Sequence, residues 1–203
     1  MSGPTGPWST DVREASITRR TRETDITVSL RLEGGPVDIS TGLGFLDHML
    51  VSLARHAGLG LRLTCAGDLV VDDHHTAEDC ALALGQALDQ ALGDRRGIAR
   101  FGHAYAPLDD ALARAVIDLS GRPFASVDLG LRRERLGDLS CENIPHVFRS
   151  IATAARLTLH LDLLRGENDH HRAEAAFKAF ALALQQAVAI TGNDIPSTKG
   201  TLT

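Results

Sequence analysis

Cysteine is scarce in this sequence: Cys65, Cys80 and Cys141 are the only three in 203 residues. They show no paired short spacing, which argues against both a thiolate zinc site and a disulfide framework. Cys65 and Cys80 sit among apolar residues, as packing thiols do. No apolar run approaches the roughly 20 residues that a membrane-crossing helix needs. The N-terminal stretch, rich in Gly, Pro and Ser around Trp8, carries no apolar signal core. No Gly-rich strand-to-helix turn of the Rossmann or P-loop kind occurs, and Gly42-Leu43-Gly44 is too short a signal to stand for one. The formal net charge of −5 speaks against a general nucleic-acid binder. What these absences leave is a cytoplasmic globular protein of ordinary composition, 43% hydrophobic and 23% charged, large enough for a substantial core.

Histidine, by contrast, is concentrated and ordered. Asp73-His74-His75-Thr76-Ala77-Glu78 returns ninety-six residues later as Asp169-His170-His171-Arg172-Ala173-Glu174, and the runs His74–Leu92 and His170–Val188 agree without a gap at 9 of 19 positions. Each copy opens an Ala- and Leu-rich run that reads as a helix, and each follows an alternating, strand-like segment, Leu61–Thr64 or Leu157–His160. Such a period signals an internal duplication.

Imidazole and carboxylate one helical turn apart share a face and can meet at one ion. This donor set suits Mn, Fe, Zn or Ni better than Ca or Mg. Adjacent histidines diverge by about 100° around a helix, so each pair serves two ions, or one ion and a substrate. His48 lies 26 residues before His74 and His146 lies 24 before His170, each near the start of its half's first helix. Their matching places make them third ligands. Six histidines and two glutamates, His48, His74, His75, Glu78, His146, His170, His171 and Glu174, then suffice for a pair of sites with three imidazoles and one carboxylate each. If the sites are related by exchange of halves, each ion takes one half's early His and Glu, one member of that half's pair, and one member of the opposite pair.

The pattern predicts strands at residues 13–21, 25–32, 37–40, 59–65 and 68–71, a helix over 45–56 and a long helix over 76–92. In the second half it predicts strands at 101–106, 111–119, 123–129 and 158–163, and helices over 145–157 and 172–190. A unit of strands, helix, strand, helix, run twice, implies an α/β (α+β) two-layer sandwich. The boundaries are a tail at 1–12, half-repeats at 13–93 and 94–191, and a C-terminal tail at 192–203 that gains a role only if it folds over a substrate.

Together, Gly-Phe-Leu-Asp-His-Met-Leu (44–50), His-His-Thr-Ala-Glu-Asp (74–79), Asp-Leu-Ser-Gly-Arg-Pro (118–123), His-His-Arg-Ala-Glu (170–174) and Pro-Ser-Thr-Lys-Gly (196–200) resemble the imidazoleglycerol-phosphate dehydratase family of histidine biosynthesis. The resemblance runs from about Ala15 to Leu202, and is to the monofunctional form because no phosphatase domain accompanies the motifs. It implies two Mn(II) ions per active site, the same eight ligands, and a 24-subunit shell with sites between subunits. It further implies Glu23 as acid/base, and His56, Arg100, Arg122, Lys178, Ser197 and Lys199 as substrate-binding residues, chiefly at the phosphate. Lys178 also stands out physically: it interrupts an apolar helical run one turn past Glu174. The segment Leu129–Asn143 carries no motif of the family.

The implied reaction converts imidazoleglycerol phosphate to imidazole-acetol phosphate with no carbonyl to acidify the departing proton. The substrate's imidazole, bound to metal as an imidazolate, would expel the hydroxyl to a diazafulvene-like intermediate, and a carboxylate such as Glu23 would take the proton. A dinuclear metallohydrolase is a competing reading, but it would favour a bridging carboxylate and an Asp-rich set. A structural metal protein is another, and would need closed coordination.

Overall fold

The computed structural model describes residues 12–202; the expected tail at 1–12 falls outside these but for Val12. Strand β1 (Glu14–Arg20) and strand β2 (Thr24–Arg31) form an antiparallel hairpin in which Arg20 faces Asp25. In β2, Ile26, Val28 and Leu30 are buried and alternate with Asp25, Thr27 and Arg31, as one solvated sheet face requires. β3 (Val37–Ser40) runs parallel to β4 (Gly60–Gly67), joined by a crossover helix, α1 (Gly44–Ala57). α2 (His74–Leu92) follows.

The second half repeats the plan. β5 (Phe101–Leu108) and β6 (Ala111–Asp118) form the hairpin; β7 (Phe124–Asp128) leads, through the short pair β8 (Arg135–Leu136) and β9 (Leu139–Ser140), to α3 (Asn143–Ala154). β10 (Thr158–Arg165), parallel to β7, and α4 (Asp169–Val188) complete it. The sheets have matching orders, β1-β2-β4-β3 and β5-β6-β10-β7.

Each half is thus a sheet covered on one face by helices, the expected two-layer unit, and the halves join helix to helix. α2 lies over β1 and β2, α1 over β3; across the joint, α1 packs on α4 and α2 on α3. Small residues let these helices approach: a Cβ on Gly85 of α2 would stand 2.7 Å from both the Ala154 Cβ and the Ile151 carbonyl oxygen of α3. Phe148, Phe177 and Phe180 fill the centre, with ring centroids 4.4 and 5.5 Å from Phe148. At the far end Arg95, almost fully buried, ties the two helices by donating to Asp89 (2.6 Å) and to the carbonyls of Ala155 (2.9 Å) and Arg156 (3.1 Å). No helix among the described residues is long and apolar enough to cross a membrane.

One expected strand is absent. Residues 68–71 form a turn closed by Val71 N–H donating to Asp68 O at 2.8 Å, and Val70 and Val71 are exposed. β-Branched residues suggested a strand there, but no neighbouring strand pairs with them. Both motif helices begin earlier than their apolar runs indicate, α2 at His74 and α4 at Asp169. Asn168 caps α4 by accepting from His170 N–H. At α2 the preceding acid faces outward to the other half. Asp73 accepts from Ser140 N–H (2.5 Å), Ser140 hydroxyl (2.8 Å) and the Asn143 amide (3.0 Å). The segment Leu129–Asn143, silent in sequence, is therefore what anchors the start of α2.

Burial alone would raise the Asp73 pKa, but the donors from Ser140 and Asn143 outweigh it and hold the carboxyl below its ordinary value. A depressed folded-state pKa contributes stability above the unfolded value of about 3.9, lost as pH falls through the lower folded value. Asp73→Ala should cost about 3 kcal/mol at neutral pH, the scale of charge-assisted bonds and orphaned donors. The wild type's advantage in urea unfolding should narrow progressively below about pH 3.9; an advantage flat across that range would place the stabilisation elsewhere.

Candidate metal centre

The start of α2 and the start of α4 each present adjacent imidazoles in divergent directions. The inner member turns toward the helix joint. His170 Nε2 lies 3.3 Å from Glu174 Oε2, and His48 Nε2, from α1, lies 3.4 Å from the same oxygen. In the other half, His146 Nε2, from α3, lies 3.0 Å from Glu78 Oε1, and His74 Nε2 lies 3.9 Å from Glu78 Oε2. His74 and His146 stack at 5.1 Å. Within each triad the ligand atoms lie within 4.8 Å of one another. Donors bound to one ion at about 2.1 Å stand about 3 to 3.5 Å apart in tetrahedral or octahedral arrangements, so both triads are of a size to hold a metal.

The outer members turn to the sheet hairpins. His75 Nδ1 donates to Asp68 at 3.1 Å while its Nε2 faces Glu23 at 3.8 Å. His171 Nδ1 donates to Asp110 at 2.5 Å while its Nε2 faces Asp109 at 3.6 Å. The hydrogen bond that His75 donates to Asp68 raises the His75 pKa. Asp110 is held well below the ordinary carboxylate range by the Glu167 N–H first, then by His171 and the Asn168 N–H. His74 is fixed in the same manner through an amide. Asn143 spends its NH₂ on Asp73, and its carbonyl oxygen accepts from His74 Nδ1 at 2.9 Å. With Nδ1 engaged in these three imidazoles, Nε2 is the lone-pair nitrogen left for an ion.

The triads join opposite halves. His48 of the first half meets His170 and Glu174 of the second, and His146 of the second meets His74 and Glu78 of the first. This overturns the expectation that each early histidine joins the glutamate of its own half. The cause is the helix packing: α1 and α2 cover different strands of one sheet, and α1 faces α4 across the joint while α2 faces α3. Each pair does split, its inner histidine in a triad and its outer one outside it.

The other sequence-derived residues divide between the two ends of the helical layer. Lys178 Nζ sits 2.8 Å from Glu174 Oε1. Burial raises the Glu174 pKa, and the Lys178 hydrogen bond and charge, with His48, more than reverse it. Glu23 stands by His75. Arg100, however, donates its N–H to Ala187 O at the other end of α4, about 20 Å of helix from Glu174. Its guanidinium is held by Asp118 (2.7 and 3.1 Å) and by the Pro196 carbonyl (2.8 Å). Arg122 is exposed at that same end, its carbonyl accepting from Thr158 Oγ1 at 3.3 Å. His56 is in the last turn of α1, about 12 Å along the axis from His48. Ser197 accepts from Lys199 N–H at 3.1 Å in the tail that follows Pro196. A single chain therefore does not gather His56, Arg100, Arg122, Ser197 and Lys199 around its own triads. Asp68, Asp110 and Asn143, which orient the imidazoles, belong to no sequence motif, and Asp73, though it opens the repeated motif, acts on His74 only through Asn143.

The imidazoleglycerol-phosphate dehydratase family model matches residues 41–184, more than two thirds of the chain. The chain belongs to the imidazoleglycerol-phosphate dehydratase family. It is 58% identical to the imidazoleglycerol-phosphate dehydratase of Phaffia rhodozyma over 94% of this chain and 97% of that protein. The enzyme of Kluyveromyces lactis is 54% identical over 94% and 97%, and that of Saccharomyces cerevisiae 51% over 94% and 98%. The crystal structure of the Staphylococcus aureus enzyme superposes with a TM-score of 0.79 at 39% identity, covering 88% of this chain and 99% of that one. IGPD from Pyrococcus furiosus, in complex with (S)-C348, gives 0.80 at 36% identity over 92% and 100%. Membership in the imidazoleglycerol-phosphate dehydratase family makes the chain a hydro-lyase of histidine biosynthesis acting on a small molecule.

If these imidazoles take up a divalent ion such as Mn(II), Asn143→Ala and Asp68→Ala should each weaken its binding by about 10- to 100-fold, the usual weight of groups that set imidazole tautomers. Calorimetric titration of the metal-free protein measures this. Wild-type affinity in both variants would show that the imidazoles need no such orientation.

Proposed function

We propose that the chain dehydrates imidazoleglycerol phosphate to imidazole-acetol phosphate with metal held at His48–His170–Glu174 and at His74–Glu78–His146. The observation that carries this reading is the paired triads, each with imidazole nitrogens and a carboxylate within 4.8 Å of one another. Mn(II), two ions per active site, is the occupant that the family resemblance implies. Three imidazoles and one carboxylate per ion, with each pair split, then require His75 beside the His48 triad and His171 beside the His74 triad. Both of these point away from the triads of their own chain, which favours their delivery by a neighbouring copy. The separation of Arg100 and Arg122 from the triads supports the same arrangement: sites between subunits of a closed shell, of 24 copies by the resemblance.

Breaking the C–O bond beside the ring, with the hydroxyl leaving as water, turns the substrate's own imidazole into a diazafulvene-like electron sink, since no carbonyl is present to acidify the departing proton. Bound metal would supply the positive charge that favours the ring's anionic form. Glu23, exposed beside His75, takes the proton from the neighbouring carbon. Arg100, Arg122 and Lys199 provide the cationic donors that a phosphate dianion demands, the arginines in fork geometry. Ser197 and His56 line the same pocket, with the 192–203 tail folded over the substrate. Lys178 balances the charge of Glu174 and stands within reach of the substrate anion.

Glu23→Gln should bind Mn(II) and substrate as the wild type does while turnover falls by at least about 10²-fold, the weight of a general base. Steady-state kinetics with a substrate-binding titration separates these, and near-normal turnover would remove Glu23 from the mechanism. Chelation at neutral pH should abolish dehydration and shift the particle to smaller oligomers, because metal bridging subunits stabilises the assembly by mass action. An unchanged elution volume after complete metal removal would exclude bridging sites.

A further inference from the structure

Directly after Glu78, α2 carries Asp79, which faces the first sheet and is only 5% exposed. It lies beneath the β1–β2 hairpin that bears Glu23. One Asp79 oxygen, Oδ2, accepts from the Thr24 hydroxyl at 2.6 Å and from the Arg19 guanidinium, and Arg19 also reaches Thr24 Oγ1 at 3.5 Å. Thr24 in turn shapes the turn. Thr21 N–H donates to the Thr24 carbonyl (2.9 Å), while Thr21 Oγ1 accepts from the N–H groups of Thr24 (3.0 Å) and Glu23 (3.1 Å). On the other side, the Glu23 carbonyl accepts from Asp68 N–H at 3.0 Å, and Asp68 is the residue that orients His75. Glu23 is thus fixed through its main chain, on one side to α2 by way of Thr24 and Asp79 and on the other to Asp68, and its carboxylate is left facing His75 Nε2 at 3.8 Å.

A buried carboxylate is costly unless its partners compensate, so its presence asks for a reason. The duplication supplies a comparison within the molecule. The gapless repeat places Ala175 of α4 where α2 has Asp79, and the second hairpin meets α4 with buried Ala104, Ala106, Ala111, Ala113 and Ala115. The fold forms there without any Arg-Asp-Thr network. The network is confined to the half whose hairpin carries Glu23.

We infer that Asp79, acting through Thr24 and Arg19, is a positioning residue for the reaction: it registers the Glu23 turn on the same helix that carries His74, His75 and Glu78. Proton transfer needs its carboxylate placed to a fraction of an ångström, and helix α2 is the common frame for the carboxylate and the ligands. The inference rests on the assignment of Glu23 as the proton acceptor.

The test uses the metal-loaded full chain, Glu23→Gln, three further variants, and Thr24→Val combined with Glu23→Gln. Thr24→Val removes the hydroxyl at constant shape, Thr24→Ser restores it, and the pair Arg19→Ala with Asp79→Ala installs the alanines that the second half uses. Thr24→Val and the alanine pair should bind Mn(II) normally and lose about 10²-fold in kcat with little change in KM, as a misplaced catalytic group does. Thr24→Ser should recover to within about threefold of the wild type. Added to Glu23→Gln, Thr24→Val should change the residual rate by less than about twofold, since the two act as one unit. Undiminished kcat in a folded, metal-loaded Thr24→Val and in the alanine pair, with Glu23→Gln inactive, would overturn the positioning role alone. So would an equal loss from Thr24→Val in the wild-type and Glu23→Gln backgrounds. Near-normal turnover of Glu23→Gln by itself would overturn the Glu23 assignment, and this inference with it.

Discussion

Neighbouring side chains on an α-helix leave its axis about 100° apart, and the site is built around that constraint. His74 and His75 open α2, and His170 and His171 open α4; neither pair can close on a single ion. The inner imidazole of each pair shares a helix face with the glutamate four residues on, and the outer one is turned to a hairpin carboxylate. Packing then decides which third side chain arrives. α1 meets α4 and α3 meets α2, so His48 is delivered to Glu174 and His146 to Glu78. The helix joint that buries the aromatic centre is also what assembles both triads, and stability and donor geometry share one interface.

The duplication gives two frames of one design with different furnishings. Both hairpins place carboxylates by the outer histidines, but the first offers Glu23 on a turn clamped to α2, and the second offers Asp109 and Asp110 on a two-residue turn. Only the second half inserts the β8–β9 segment, and that insertion serves the first half by receiving Asp73 and placing Asn143 against His74. Divergence after duplication therefore lies in the carboxylates and amides around the imidazoles rather than in the imidazoles themselves.

The repeat, the order of elements and the donor inventory are legible in the sequence because each is periodic or local. Ile26, Val28 and Leu30 alternate as a one-sided strand must, and His74 and Glu78 share a helix face by spacing alone. Residues 68–71 carry the pattern of a strand without forming one, since Val70 and Val71 have β propensity but meet no partner. The pairing of His48 with Glu174 rather than Glu78 is not legible in the sequence, because nothing local encodes which helix faces which across the joint. The roles of Asp68, Asp79 and Asn143 are hidden for a related reason: their partners lie between 7 and 70 residues away, and no period marks such contacts.

The crosswise composition of the triads is the central claim, and metal content tests it most directly. Two double variants carry the comparison, each loaded with Mn(II), freed of excess metal by gel filtration and assayed for bound ion. His48→Ala with Glu174→Ala strikes one triad twice and should retain about one ion per chain. His48→Ala with Glu78→Ala strikes both triads and should retain almost none, given the loss expected when a ligand is missing from each site. The reverse outcome, one ion kept by the second variant and none by the first, would restore the same-half pairing and contradict the structure's account of the site.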